Sequence, residues 1–195
     1  MTVKDIALMG NPVLKKRAAP VAEPGAAETR DLVVDMIDSM AAAGGVGLAA
    51  PQISVSRQVV IFFVPEDGPP DDGDEWQEAG DNDDSDNERR LTVLINPEIE
   101  ILSEEQDLGW EGCLSVPGLS GLVPRHTHIR YRGLDLDGAL IEREARGFHA
   151  RVVQHECDHL EGILYPQRMT DISLLLFNSE TRHYEEGGKN DGETS

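Results

Sequence analysis

Apolar residues recur at helical spacing in two stretches of the chain. Between residues 26 and 43, Leu32, Met36 and Met40 stand four apart with Val33 and Ile37 beside them. The spacing predicts an amphipathic helix, stopped by Gly44-Gly45. Residues 148–160 contain neither Gly nor Pro, and Gly162 follows where a left-handed cap would sit. Here Phe148, Val152, His155 and His159 follow i, i+4, i+7 and i+11, one stripe that begins apolar and ends in imidazoles. Strand-length apolar runs appear at 58–64, 91–95, 98–102 and 173–177. Segments 122–131 and 139–145 read as an antiparallel pair around Asp135-Leu136-Asp137-Gly138, since Asp-Gly is a hairpin signal. On one face of the first, His126 and His128 would alternate as surface residues. Residues 6–21, interrupted by Pro12 and Pro20, are expected to run extended over the body.

Between the first helix and the first strand lies Gly45-Val46-Gly47-Leu48-Ala49-Ala50-Pro51-Gln52. A dinucleotide-binding Gly motif must follow a strand and open a helix. This one follows a helix and runs into Pro51, which excludes that reading. A tight loop of small residues fits better, open to a ligand at its backbone and presenting one polar side chain.

Charge changes the picture in one place. The 195 residues carry a formal net charge of −20, but 12 of the 37 acidic residues fall within 66–88, where there is no Lys or Arg. The remainder holds 25 acidic against 17 basic residues, only mildly acidic. The insertion has too little apolar content to offset its ordering entropy and is expected to be solvated and mobile. No basic footprint for nucleic acid or an anionic membrane is present. The beginning of the chain shows no signal-peptide or transit character, and no apolar run approaches membrane-spanning length, so a soluble cytoplasmic protein is expected. Cys113 and Cys157, without a secretion signal, are expected to be free or metal-bound.

The chemistry centres on Gln154-His155-Glu156-Cys157-Asp158-His159. Two imidazoles one helical turn apart can share a metal, and the adjacent glutamate can take a proton from a water beside it. Cys157, about 200° round the helix from His155, faces away. A catalytic site needs a third ligand. Three candidates exist: Tyr165, which stands where metzincins place a third His; Glu180, at a distance suited to a thermolysin-like ligand; and Cys113, flanked by Gly112, whose thiolate would be a strong ligand.

At this point the chain resembles the peptide deformylases. Three motifs occur in that family's order: GVGLAAPQ (45–52), EGCLS (111–115) and QHECDH (154–159), with flanking similarity at Asn11-Pro12-Val13-Leu14, Ile95-Asn96-Pro97 and Val123-Pro124-Arg125. The resemblance covers roughly residues 6–169. The acidic insertion departs from it, as does a short, non-helical C-terminal end. It implies an α+β fold, with antiparallel strands around the central HExxH helix and the N-terminal helix outside. It implies a single catalytic domain over 1–170, the insertion included, followed by a short strand and frayed tail over 171–195. It implies hydrolysis of the N-formyl group from the initiator methionine of nascent chains, at the ribosome and by a monomer. Cys113, His155 and His159 would hold one divalent metal, usually Fe(II), with Zn(II), Ni(II) or Co(II) possible in purified protein. Glu156 would be general base and proton carrier. Gln52 and the Leu114 N–H would stabilise the oxyanion, and the backbone at Val46, Gly47 and Gly112 would pair with the peptide. The stripe Phe148–Val152 would line an apolar pocket for methionine. Two alternatives stand beside this reading, a zincin-type endoprotease and a catalytically silent homologue acting as a binding module.

Overall fold

The molecule is seen here as a computed structural model that describes residues 2–64 and 90–187; the acidic insertion at 66–88 and the end of the tail lie outside the described residues. Strand β2 (Val59–Val64) shows how the layers arise. Successive side chains of a strand point to opposite faces. Val60, Phe62 and Val64 pack with Val152, Val153 and Leu160 of helix α2 (Gly147–Leu160), while Val59 and Ile61 pack with Val33, Met36 and Met40 of helix α1 (Ala27–Ala43). A strand apolar on both faces is therefore sandwiched between two helices. Complete burial of each such side chain contributes about 1.5–3 kcal/mol. The architecture is the expected α+β arrangement, with α2 central and α1 outside.

The strands of the described residues form two antiparallel sheets. The larger has the order β1-β2-β3-β6-β7, from β1 (Gly47–Ala49), β3 (Arg90–Ile101), β6 (His128–Leu134) and β7 (Leu140–Arg146). The smaller has the order β4-β5-β8, from β4 (Gln106–Cys113), β5 (Val116–His126) and β8 (Leu175–Phe177). Helix α2 touches both sheets, so it holds its ligands where they meet.

Several boundaries differ from the sequence pattern. The runs at 91–95 and 98–102 are one strand, β3, with a register shift between Ile95 and Glu98. Asn96 sits there at φ 51° and bonds both Val21 N–H and Val21 C=O at 2.8 Å, so Asn96-Pro97 is a bulge rather than a break. The run 122–131 is not one strand. It turns a corner at Thr127, where Thr127 N–H donates to Glu105 C=O and Gly147 N–H donates to Thr127 C=O. His126 and His128 consequently lie on strands of different sheets, and neither joins the metal group. The Asp-Gly hairpin is present, with Leu134 opposite Leu140. Strand β4 was not legible, because its two glycines and outward-facing residues break the apolar pattern. The small-residue segment is strand β1 followed by a 3₁₀ turn, Ala50–Ile53, rather than a plain loop. A short helix, α3 (Arg182–Gly187), forms where a non-helical end was expected.

Residues 6–21 wrap the body as expected and pin the turns that carry the site. Ala7 N–H donates to Gln52 C=O and Met9 N–H to Ser115 C=O, both at 2.7 Å.

Candidate active site

Helix α2 ends in a left-handed Gly162 (φ 75°), with Ile163 N–H bonded back to Asp158 C=O at 2.9 Å. His155 and His159 lie one turn apart with ring centroids 5.0 Å from each other. Cys113, the last residue of β4, comes to them from the small sheet. Its Sγ lies 3.4 Å from His159 Nε2. The ligand atoms of Cys113, His155 and His159 all fall within 4.8 Å of one another, the one such group among the described residues. Tyr165 supplies no ligand there; its ring stacks on His155 at 6.3 Å. Glu180 instead lies 3.5 Å from His183.

The residues fit a transition-metal ion. His155 Nδ1 meets Glu111 Oε2 at 2.8 Å, the carboxylate–histidine partnership that fixes a ligand's ring orientation and leaves Nε2 for a metal. Burial, together with the neighbouring His155 and Arg125, holds the His159 pKa well below its ordinary value, so this imidazole is neutral and suited to ligation. Cys157 is excluded, as its position on the helix predicts: it packs against the core under α2, where burial raises its thiol pKa.

Glu111 is the residue that sequence reasoning missed. It lies buried on β4, two residues before Cys113, and accepts bonds from Arg125 Nε (2.8 Å), Arg125 Nη2 (2.9 Å) and Arg151 Nη1 (3.0 Å) as well as facing His155. Burial alone would raise its pKa; the bonds from Arg125 and His155 overcome this and bring it down to about 2. Arg125 in turn meets Asp158, which also accepts from Arg168. The signal was available, since residues i and i+2 of a strand share a face and Glu111 and Cys113 stand at that spacing.

Glu156 follows the first histidine and is buried, and its Oε2 has no hydrogen-bond partner among the described residues. Burial raises its pKa to about 7, against the lowering influence of His155. Gly47 makes its position possible, because a Cβ there would collide with the Glu156 carboxylate. Gln52 is equally oriented. Its Oε1 accepts from Ala49 N–H at 2.8 Å, which turns Nε2 toward Ser115 Oγ (3.2 Å) and Cys113 Sγ (3.5 Å).

A cavity of about 480 Å³ opens onto these groups. Val46, Gly47, Gln52, Gly112, Cys113, Leu114, Phe148, Val152, His155 and Glu156 all line it, and His159 lies buried behind. The sequence-derived site residues are thus brought together. A larger cavity of about 690 Å³ sits on the opposite side of α2, beside Cys157 and Asp158, and contains none of them.

A Cys-His-His centre on an HExxH helix, with a buried carboxylate and an oriented amide facing one cavity, defines a metal-dependent hydrolase. The family model for polypeptide deformylase matches residues 3–174. Peptide deformylase 1 of Bordetella pertussis is 54% identical over 165 residues, 85% of this chain and 86% of its own length. Peptide deformylase 1 of Nitrosomonas europaea is 49% identical over 170 residues, 87% and 89% of the two chains. Among solved structures, a class I type b peptide deformylase from Acinetobacter baumannii bound to Met-Ala-Ser is similar at a TM-score of 0.72 with 38% identity, over 86% of this chain and all of that one. The peptide deformylase of Thermotoga maritima gives 0.73 with 31% identity, over 88% of this chain and all of that one. The chain belongs to the peptide deformylase family, metal-dependent hydrolases that remove the formyl group from nascent formylated peptides.

Proposed function

We propose that the chain removes the N-formyl group from the initiator methionine with Glu156 as its proton carrier, and that Cys113, His155 and His159 hold one iron(II) per chain. The observation that carries this reading is the three-ligand group opening into the same cavity as Glu156. A thiolate among the ligands favours a softer metal such as iron, with zinc, nickel or cobalt as replacements in purified protein.

When bound, the metal lowers the pKa of a water and polarises the formyl carbonyl. The chain's own residues do the rest. Glu156, buried with its Oε2 unpartnered among the described residues, takes the proton of the attacking water as the water's oxygen bonds to the formyl carbon. Gln52 Nε2 and the Leu114 N–H donate to the oxygen on which charge develops. Glu156 then delivers the proton to the amine nitrogen as the C–N bond breaks, giving formate and a free amino terminus. Strand β1 lies at the edge of its sheet, so the backbone at Val46 and Gly47, with Gly112 opposite, can pair with an extended peptide. Phe148 and Val152 receive the methionine side chain. The enzyme works as a monomer on nascent chains leaving the ribosome, in the cytoplasm. Residues 1–170 act as one catalytic domain, with 171–195 appended.

Metal analysis of anaerobically purified protein, followed by formate release from formyl-Met-Ala-Ser, tests this reading. One metal per chain and stoichiometric formate are expected. Internal peptide cleavage without formate would instead indicate an endoprotease, and metal binding without turnover a silent homologue.

A further inference from the structure

The cavity carries a cation beside Phe148 and Val152. Arg151 stands three residues after Phe148 and one before Val152, and it lines the cavity with them. It is 8% exposed. Strand β4 passes its guanidinium so closely that a Cβ on Gly109 would lie 2.6–2.8 Å from Cζ, Nη2 and Nε. Arg151 Nη1 donates to Val123 C=O (2.8 Å), Glu111 Oε1 (3.0 Å) and Gly109 C=O (3.3 Å), and Nη2 donates to Asp107 C=O (2.8 Å). An arginine carries five N–H groups. These acceptors engage both hydrogens of Nη1 and one of Nη2. Nε–H and the second Nη2 hydrogen have no acceptor among the described residues.

We propose that Arg151 is a specificity-determining residue whose open donors recognise an acceptor atom at the tip of the substrate's first side chain. The inference rests on the deformylase reading of the site. It makes the pocket selective for the thioether of methionine over the all-carbon chain of norleucine, and it makes N-formyl-methionine sulfoxide a substrate as well. A methylene laid against the guanidinium removes water from donors and returns nothing. A thioether sulfur is a weak acceptor and returns part of the loss. A sulfoxide oxygen is a strong one, and its bond to a guanidinium is charge-assisted. A wholly apolar pocket has the opposite preference, tolerating norleucine and rejecting the sulfoxide.

The test compares formyl-Met-Ala-Ser, formyl-norleucyl-Ala-Ser and formyl-Met(O)-Ala-Ser, with kcat and KM read separately from formate release. Metal-loaded wild type, Arg151→Met and Arg151→Lys are assayed, and calorimetry gives the binding of the free tripeptides Met-Ala-Ser and norleucyl-Ala-Ser. Wild type is expected to prefer Met over norleucine by roughly 3–10-fold in kcat/KM and to process the sulfoxide within about tenfold of Met. Arg151→Met should bring the Met-to-norleucine ratio near one and lower the sulfoxide by a further factor of about ten. Should Arg151→Met fail to fold, Arg151→Lys, which keeps the charge without the fork, is expected to weaken the sulfoxide selectively, and the wild-type ratios stand as a test by themselves. Equal wild-type rates on Met and norleucine overturn the inference. So does a uniform fall on all three substrates in the variants, which would reduce Arg151 to a support for Glu111 and β4. Formate from none of the three overturns the deformylase reading along with it.

Discussion

Glu111 illustrates how much of the site is decided by a residue that touches no substrate. Its carboxylate is held across both oxygens by Arg125, while Arg151 donates to Oε1 and His155 faces Oε2. Glu111→Gln keeps the shape but removes the charge that His155 Nδ1 and two guanidiniums face. Metal affinity is expected to fall by roughly 10–100-fold, measurable by competition with a chromophoric chelator; unchanged affinity would mean that the carboxylate does not orient His155. Gly47 is a second such position, since a methyl there would displace the Glu156 carboxylate. Gly47→Ala is expected to retain one metal per chain while kcat falls by about 10²-fold, the scale of a 1 Å misplacement. Wild-type kcat in that variant would show that Glu156 has room to move. At this scale the sequence was informative wherever chemistry and spacing coincide, as at His155, Glu156, His159 and Cys113. It gave no partners for Glu111, Arg125 and Arg151, because their ion pairs join β4, β5 and α2 across separations of 14–44 residues in the chain.

Helix α2 carries a different constraint at its first turn. His149 is buried against Phe62 and Tyr131, with its Nε2 3.2 Å from the Tyr131 hydroxyl. Burial, reinforced by the nearby Arg143, lowers its pKa to about 4. Between that value and about 6.5 the unfolded chain binds a proton here that the folded chain does not. Stability is therefore lost as pH falls from about 6.5 toward 4, and this group contributes no further change below that. His149→Gln removes the titration. The difference in unfolding free energy between the two proteins, from urea titrations at pH 7 and pH 4.5, is expected to shift in the variant's favour by about 2–3 kcal/mol on acidification. A pH-independent difference would mean that His149 is charged in the folded protein. The elements themselves were largely legible. Both helices, the β2 run and the Asp-Gly hairpin follow from local pattern. The errors fell at β4, at the Asn96-Pro97 bulge and at the Thr127 corner, where hydrogen bonds to remote residues decide the path.

Over the whole molecule, the acidic segment 66–88 falls between β2 and β3 in the sequence. Val64 and Arg90 are register partners on β2 and β3, so the strands already meet at its base. Replacing 66–88 by a short Gly-Ser turn is expected to leave kcat and Tm nearly unchanged. A large fall in kcat/KM on formyl-Met-Ala-Ser would assign the segment a part in substrate contact. None of the described helices is long and apolar enough to cross a membrane, and both sheets and α2 line the cavity that holds the Glu156 carboxylate. That carboxylate carries the account. The most direct measurement is turnover of metal-loaded Glu156→Ala on formyl-Met-Ala-Ser, alongside its metal content and its affinity for a formyl-peptide analogue. One metal per chain and near-normal affinity are predicted, with kcat lower by roughly 10²–10⁴. A metal-loaded Glu156→Ala protein turning over at close to the wild-type rate would contradict the assignment of the proton carrier and the mechanism built on it.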